Sequence, residues 1–350
     1  MKTSASSVGF DYVQLIYNAQ AGNRRVSRDL NMIMAHLNLA FPTAQIGVRP
    51  TTGPHDATTI AAHISRQWNE RALVIIAGGD GSVSETANGL IGTQTPLLVL
   101  PYGTGNDFSR AVYRGMSREP QEILAALVTA TKLGQPTVSV TAIDAMRTRA
   151  PRYRLPDGTR KHQLDRYAIN VISMGFDSVI GISADALHRK VPWLLGMSYP
   201  LSVLTELTKQ RNFELALTWR DGNVTRSESQ RYTVCAVANA SHYGGGFEPN
   251  PQAILNDGVI EVILSRELQL LDIARLIGKF RRGDKLPADY VQEFSGREFR
   301  FSALGDSELV LTLDGQGVYT RELQVEVCAR ALLIARPFRW PTPPALSVQS

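Results

Sequence analysis

Short apolar runs alternate with amphipathic stretches through the first ~140 residues, the pattern of parallel βαβ units. Tyr12–Tyr17 predicts a first strand, closed by the turn Asn18-Ala19-Gln20-Ala21-Gly22-Asn23 and followed by a helix over Val26–Leu39. Gln45–Val48 and Asp56–Gln67 give a second strand and helix. Ala72–Ala77 is a β-branched apolar run bounded by glycines, which reads as a fully buried parallel strand. Behind it Val83–Leu90 has helical character, Leu97–Leu100 is a further strand, and Pro101-Tyr102-Gly103-Thr104-Gly105 leads into a helix over Asn106–Arg114. Four loops then leave one edge of one sheet, the edge at which doubly wound folds bind ligands. The expected N-terminal domain is a doubly wound, Rossmann-like α/β unit over residues 1–136.

Beyond that point strand-like runs dominate: Thr137–Ala142, Arg166–Ile172, Phe213–Trp219, Tyr232–Val237, Val259–Leu264, Glu308–Leu313, Leu323–Val327 and Ala331–Ile334. Several alternate apolar and polar residues between turn clusters, which predicts an antiparallel β-sandwich over residues 137–337. Two helices are expected as insertions, at Tyr199–Lys209 and Glu267–Phe280. The Arg- and Pro-rich stretch Arg147–Lys161 reads as a loop or flap, and residues 338–350 as a Pro-rich tail.

The 350 residues suffice for two domains and a substantial core. A net charge of +5 suits nucleotides or an anionic membrane surface, and no nucleic-acid partner is expected. The two cysteines, Cys235 and Cys328, sit in apolar runs and predict reduced thiols without a disulfide framework or zinc spacing. Met1–Ser7 lacks the apolar core of a signal peptide. The longest apolar neighbourhood, Val191–Leu207, is broken by Pro192, Gly196 and Pro200, carries Glu206 and is too interrupted to span a bilayer. A cytoplasmic protein with at most peripheral contact at the inner membrane surface is expected.

Candidate chemistry begins at Gly78-Gly79-Asp80-Gly81-Ser82. Glycines behind a buried strand let the backbone turn and approach a ligand, and the following helix offers free N–H groups to a phosphate. A loop meant only for phosphate would avoid the carboxylate of Asp80. Its presence points to a divalent cation or a proton transfer, hence to phosphoryl transfer. Glu85 and Asn88-Gly89-Leu90 follow; one βα unit later stands Pro101-Tyr102-Gly103-Thr104-Gly105-Asn106-Asp107-Phe108, and much further on Asp314-Gly315-Gln316.

With these three groups the chain, from about Val13 to Pro337, resembles the diacylglycerol kinase catalytic domain family, which includes sphingosine and ceramide kinases and small soluble bacterial lipid kinases. A GGDG run alone is shared with NAD kinases and phosphofructokinases; together with a GTGNDF box at this spacing it is specific. The resemblance implies an ATP- and Mg2+-dependent kinase acting on a lipid hydroxyl in a cleft between two domains. It implies a nucleotide site at Asn18, Gly22, Thr51, Gly78, Gly79, Gly81, Ser82, Ser84, Thr104 and Asn106, with Arg24 and Arg25 as basic residues after the first turn. Asp80 and Asp107 match carboxylates tied to magnesium and catalysis. The stretch Ala253–Val259 matches one that holds a structural magnesium in some bacterial members, through the Asp257 carboxylate and the backbone carbonyls of Ile254 and Val259.

Three positions depart from the family pattern: Ala19 replaces a proline, Ser84 an asparagine, and Gln316 a glutamate proposed as general base. Glutamine cannot take a proton from a hydroxyl at neutral pH, which leaves Asp80 or Asp314 for that task. A general base contributes typically ~10²–10⁴-fold, so an active kinase is the favoured reading. A catalytically impaired homologue that binds lipid or nucleotide is the alternative, with NAD kinase behind it.

Each residue also has a plainer reading. Asp80 could be a turn residue, Asn106 and Asp107 helix caps, and Asp257-Gly258 and Asp314-Gly315 hairpin turns. Trp193, Leu194, Leu195 and Met197 could be core or a lipid-admitting rim. Lys279, Arg281, Arg282 and Lys285 could be a solvated face or could meet anionic headgroups. The six histidines show no ligand spacing. The expected partner is a lipid substrate at a membrane surface, and a sandwich edge strand could pair two copies into a homodimer.

Overall fold

The computed structural model describes residues 9–190, 213–221, 224–246, 250–269 and 289–338, with Glu248, Asp272 and Lys279. The apolar rim around Trp193, the first inserted helix and most of the second, the basic run after Lys279 and the tail lie outside the described residues. The chain divides into two compact units, one running to Ile143 and resuming at Arg330, the other covering Asp144–Ala329.

In the first unit β1 (Tyr12–Tyr17), β2 (Gln45–Pro50), β3 (Ala72–Gly78) and β4 (Leu97–Pro101) lie in the order β2-β1-β3-β4, every pair parallel. Every residue of β3 and β4 is buried, as a strand covered on both faces requires. The strands are connected through α1 (Ala21–Ala40), α2 (Asp56–Trp68) and α3 (Asp80–Leu90), and β4 is followed by α4 (Asp107–Val112) and α5 (Pro120–Lys132). Because the strands are parallel, the turns after β1, β2, β3 and β4 all leave the same edge.

Residues 330–337, read from sequence as part of the sandwich, group instead with the first unit. There Ile334 pairs with Leu97 of β4 in parallel, and Gly92 donates its amide to the carbonyl of Ala331 at 2.8 Å.

The second unit is mostly sheet. Its strands are β5 (Val138–Arg154), β6 (Arg160–Ala168), β7 (Val171–Gly175), β8 (Phe213–Asp221), β9 (Val224–Ala238), β10 (Ile260–Arg266), β11 (Val291–Gly296), β12 (Glu298–Ala303), β13 (Leu309–Leu313), β14 (Gln316–Thr320) and β15 (Glu322–Pro337), with α6 (Phe176–Lys190) after β7. β5 and β15 each run on into the first unit. The order β12-β8-β9-β7-β13-β14-β5-β6 is antiparallel wherever a register is defined, with β10 and β11 added beside β9. Met174, Leu215, Val262, Phe299, Phe301, Leu311 and Val325 pack together at its core.

The Arg147–Lys161 stretch is not a loop. It is the turn end of the β5–β6 hairpin, with Arg154 opposite Arg160. Three of its arginines meet carboxylates: Arg147 pairs with Asp165 at 2.7 Å and Glu326 at 3.8 Å, Arg149 with the same Glu326 at 2.6 Å, and Arg154 with Glu308 at 2.6 Å. Those carboxylates come from β6, β15 and the approach to β13, so local composition could not show them.

Candidate active site

β1 delivers Asn18 to the sheet edge, where its amide donates to the carbonyl of Ala77 at 3.1 Å and its side-chain Oδ1 accepts the amide of Gln20 at 2.9 Å. Asn18 Nδ2 reaches Ser82 Oγ at 3.5 Å, joining the first turn to the third. The first helix starts at Ala21, five residues earlier than its apolar periodicity indicates, and its opening turn is irregular, with φ of +56° at Gly22 and +64° at Arg24. Arg24 is exposed and forms no ion pair among the described residues, its Nε lying 3.4 Å from Gln20 Oε1. Arg25 turns away toward Glu119 at 3.1 Å and lies over the Tyr102 ring. After β2, Thr51 donates to the carbonyl of Tyr17 at 2.8 Å, and the Thr52 hydroxyl, joined by the amides of Thr52 and Gly53, donates to Asp56 Oδ2 and holds that carboxyl below its usual range.

The glycine turn is tighter than its sequence suggests, because α3 begins at Asp80 and takes Gly81 and Ser82 into its first turn. Gly78 and Gly79 alone make the bend. A Cβ on Gly79 would sit 3.1 Å from Gly103 Cα, and one on Gly103 would overlap Gly79 Cα. The two turns therefore cross backbone against backbone, which no other residue type permits. Gly81 has open space around it, Ser84 is buried in α3, and Thr104 is exposed.

Asn106 stands in the left-handed region at φ +53°, and its side chain closes a ring on Gly103, accepting that amide at 2.8 Å and donating to that carbonyl at 2.7 Å. The ring presents the next amides to Asp80, whose Oδ1 accepts from Phe108 N–H at 3.1 Å. Burial raises the Asp80 carboxyl above the usual carboxylate range, and the amides of Phe108, Asp107 and Asn106 oppose that rise. Asp107 is buried at the start of α4, with Arg110 Nε 3.4 Å from its Oδ1. Burial, and after it the nearby Arg110 charge, lowers the pKa of Arg118. Sequence reasoning missed both arginines, although Arg110 follows Asp107 by three positions, the spacing that places two residues on one helix face.

In the second unit Asp314 and Gly315 form the two-residue link between β13 and β14, both at positive φ, +46° and +86°. That is the geometry of a type I′ hairpin turn. Both Asp314 oxygens accept buried backbone amides, from Asn170 and Ile169, each at 3.0 Å. A carboxylate so held is an anchor between strands. Gln316 opens β14, its Oε1 accepting from Arg166 Nη1 at 2.6 Å. At the proposed magnesium turn, Asp257 Oδ1 accepts the Val259 amide at 3.0 Å, Asp144 Oδ2 accepts that of Gly258 at 2.6 Å, and Ile254 is exposed. Among the described residues no group of three or more His, Cys, Asp or Glu side chains gathers around a metal position. A site built from one carboxylate and backbone carbonyls needs no such group.

Comparison with known proteins bears on both units. Residues 12–140 match the diacylglycerol kinase catalytic domain, and residues 170–336 match the YegS C-terminal NAD kinase beta sandwich-like domain. The chain carries the catalytic domain of the diacylglycerol kinase family. A protein of Stenotrophomonas maltophilia (strain K279a), named "Probable lipid kinase YegS-like", is 27% identical over 288 residues, 81% of this chain and 84% of its own length. A diacylglycerol kinase of Bacillus subtilis (strain 168) is 24% identical over 306 residues, 87% of this chain and 89% of its own. In structure, a diacylglycerol kinase from Bacillus anthracis str. Sterne superposes with a TM-score of 0.64 at 20% identity, covering 95% of this chain and 99% of its own. The α/β first unit and the mostly-sheet second unit are thus the two domains of this family. No helix among the described residues is long and apolar enough to cross a membrane.

Proposed function

We propose that this chain is an ATP-dependent lipid kinase that moves the γ-phosphate of ATP to a lipid hydroxyl. One observation carries the proposal: the half-buried Asp80 carboxylate, at the first position of α3, is fixed by the Phe108 amide where two glycine turns cross. The strand order β2-β1-β3-β4, with all loops on one edge, is read here as a doubly wound, Rossmann-like nucleotide fold. Gly78, Gly79, Gly81 and Ser82 would face the phosphates of ATP, with Asn18, Thr51, Ser84, Thr104 and Asn106 completing the cradle. The uncommitted Arg24 would meet phosphate charge in place of Arg25.

The donor set suits magnesium, which takes hard oxygen ligands. Asp80 would hold Mg2+ or accept the acceptor proton, and Asp107, backed by Arg110, lies beside it. Magnesium held there would supply positive charge to the phosphates. The lipid oxygen bonds to the γ-phosphorus as the bond to the β-phosphate oxygen breaks, ADP leaves, and the hydroxyl proton passes to a carboxylate or to water. A carboxyl raised toward neutrality accepts that proton better than an ordinary one. The turn at Ile254, Asp257 and Val259 is kept as a place for a structural Mg2+. The protein would meet its substrate peripherally, at the cytoplasmic membrane surface.

The test is ATP consumption with magnesium in mixed micelles of diacylglycerol, monoacylglycerol, sphingosine or ceramide, with NAD as a further acceptor. Phosphorylation of a lipid supports the proposal and names the acceptor. Phosphorylation of NAD alone, or of nothing, contradicts it.

A further inference from the structure

Arg166 lies on β6 opposite Thr148 and is half-buried. Its Nη1 donates to Gln316, while its Nε–H is buried with no hydrogen-bond partner. Among the described residues no carboxylate pairs with it. Asp165, next along β6, takes Arg147 through both oxygens at 2.8 and 2.7 Å and, by strand alternation, points to the other face. Glu326 holds Arg149, and Asp314 holds two strand amides. A guanidinium with a buried, unused donor and only a neutral partner costs free energy until an anion completes it.

Gln316 makes the same demand. With Oε1 accepting from Arg166, its amide nitrogen keeps two N–H donors that meet no partner among the described residues. A planar guanidinium beside an amide N–H matches the oxygens of a phosphate group.

We infer that Arg166 and Gln316 form an oxyanion seat for a phosphate group, with position 316 acting as a donor to that group. On the lipid-kinase reading, the phosphate is the one carried by an anionic or phosphorylated lipid; the seat itself does not depend on that reading. A glutamate at 316 would be captured by Arg166 as an ion pair, closing the seat without supplying a free base.

The experiment is calorimetric titration of the full-length protein without ATP, using dihexanoyl phosphatidic acid, dihexanoylglycerol and inorganic phosphate as probes. The native protein should bind the phosphatidic acid roughly tenfold or more tighter than the uncharged lipid, and Gln316→Glu and Arg166→Gln should erase that preference. Gln316→Glu is nearly isosteric, so it carries the test should Arg166→Gln fail to fold. Inorganic phosphate that binds as tightly, and only with both residues intact, assigns the seat to free phosphate; its failure to compete assigns the seat to lipid-borne phosphate. Undiminished phosphatidic acid binding by a folded Gln316→Glu protein would overturn the seat. Because no turnover is measured, an absent kinase activity would leave this result standing.

Discussion

The backbone amide of Phe108 donates to Oδ1 of Asp80 at 3.1 Å, so the turn after β3 and the box after β4 hold one another in place. The carboxylate at the centre of the site takes its position from backbone that lies 28 residues further along the chain. Positioning of this kind is what phosphoryl transfer mainly requires of a protein.

The backbone crossing at Gly79 and Gly103 gives a first prediction. Gly103→Ala forces a methyl group into Gly79 Cα, and the two turns must part. A loss of about 1–3 kcal/mol of stability is expected, with a larger fall in affinity for a non-hydrolysable ATP analogue. Denaturant unfolding and calorimetry measure the two, and an unchanged affinity would show that the crossing does not shape the nucleotide site.

Asp314 is expected to act on stability before chemistry. Asp314→Ala strands two buried amides and places a Cβ residue other than Asp or Asn at positive φ, together costing roughly 2–4 kcal/mol. Asp314→Gly should recover only the conformational part. Unchanged unfolding with turnover down a hundredfold or more would instead make Asp314 a chemical residue.

Asp177 offers a pH test. Burial raises its carboxyl from the ordinary 3.8 to about 6, against hydrogen bonds from Tyr243, Ser173 and the Ser178 amide. A raised folded-state pKa means that the neutral acid stabilises the fold below 3.8, and that this stability is lost as pH climbs through about 6. Asp177→Asn stays neutral, so its advantage over the native protein should grow between those values and level off at an order of 2–3 kcal/mol. Melting curves from pH 4 to 8 decide it; a constant difference would mean that the Asp177 carboxyl titrates alike in the folded and unfolded chain.

Much of the first domain was legible because its signals are local. The strand at Tyr12–Tyr17 is found as predicted, and those at Ala72 and Leu97 end within a residue of the expected bounds. The helix Pro120–Lys132 went unread for want of a motif, although Pro120 at its start is a fair signal. The second domain was harder. Its strands at Val291, Glu298 and Gln316 were missed, and Leu323–Val327 and Ala331–Ile334 prove to be one strand running through the polar break at Cys328–Arg330. Long-range partners decide these cases. Arg147, Arg149 and Arg154 read as loop residues until Asp165, Glu326 and Glu308 are seen beside them. The same holds at the sites: motif spacing placed Asp80 and Asp107, whereas the Arg166–Gln316 contact spans 150 positions and left no trace in either neighbourhood.

On the kinase reading Asp80 serves transfer and not folding, and Asp80→Asn separates the two roles. Burial disfavours the charged carboxylate, so the amide should leave the melting temperature at pH 7–8 unchanged or raise it. ATP analogue binding should change little, while transfer of labelled γ-phosphate to lipid should fall by about 10²-fold or more. A variant that transfers phosphate at the native rate, or that loses activity only because it unfolds, would contradict the account.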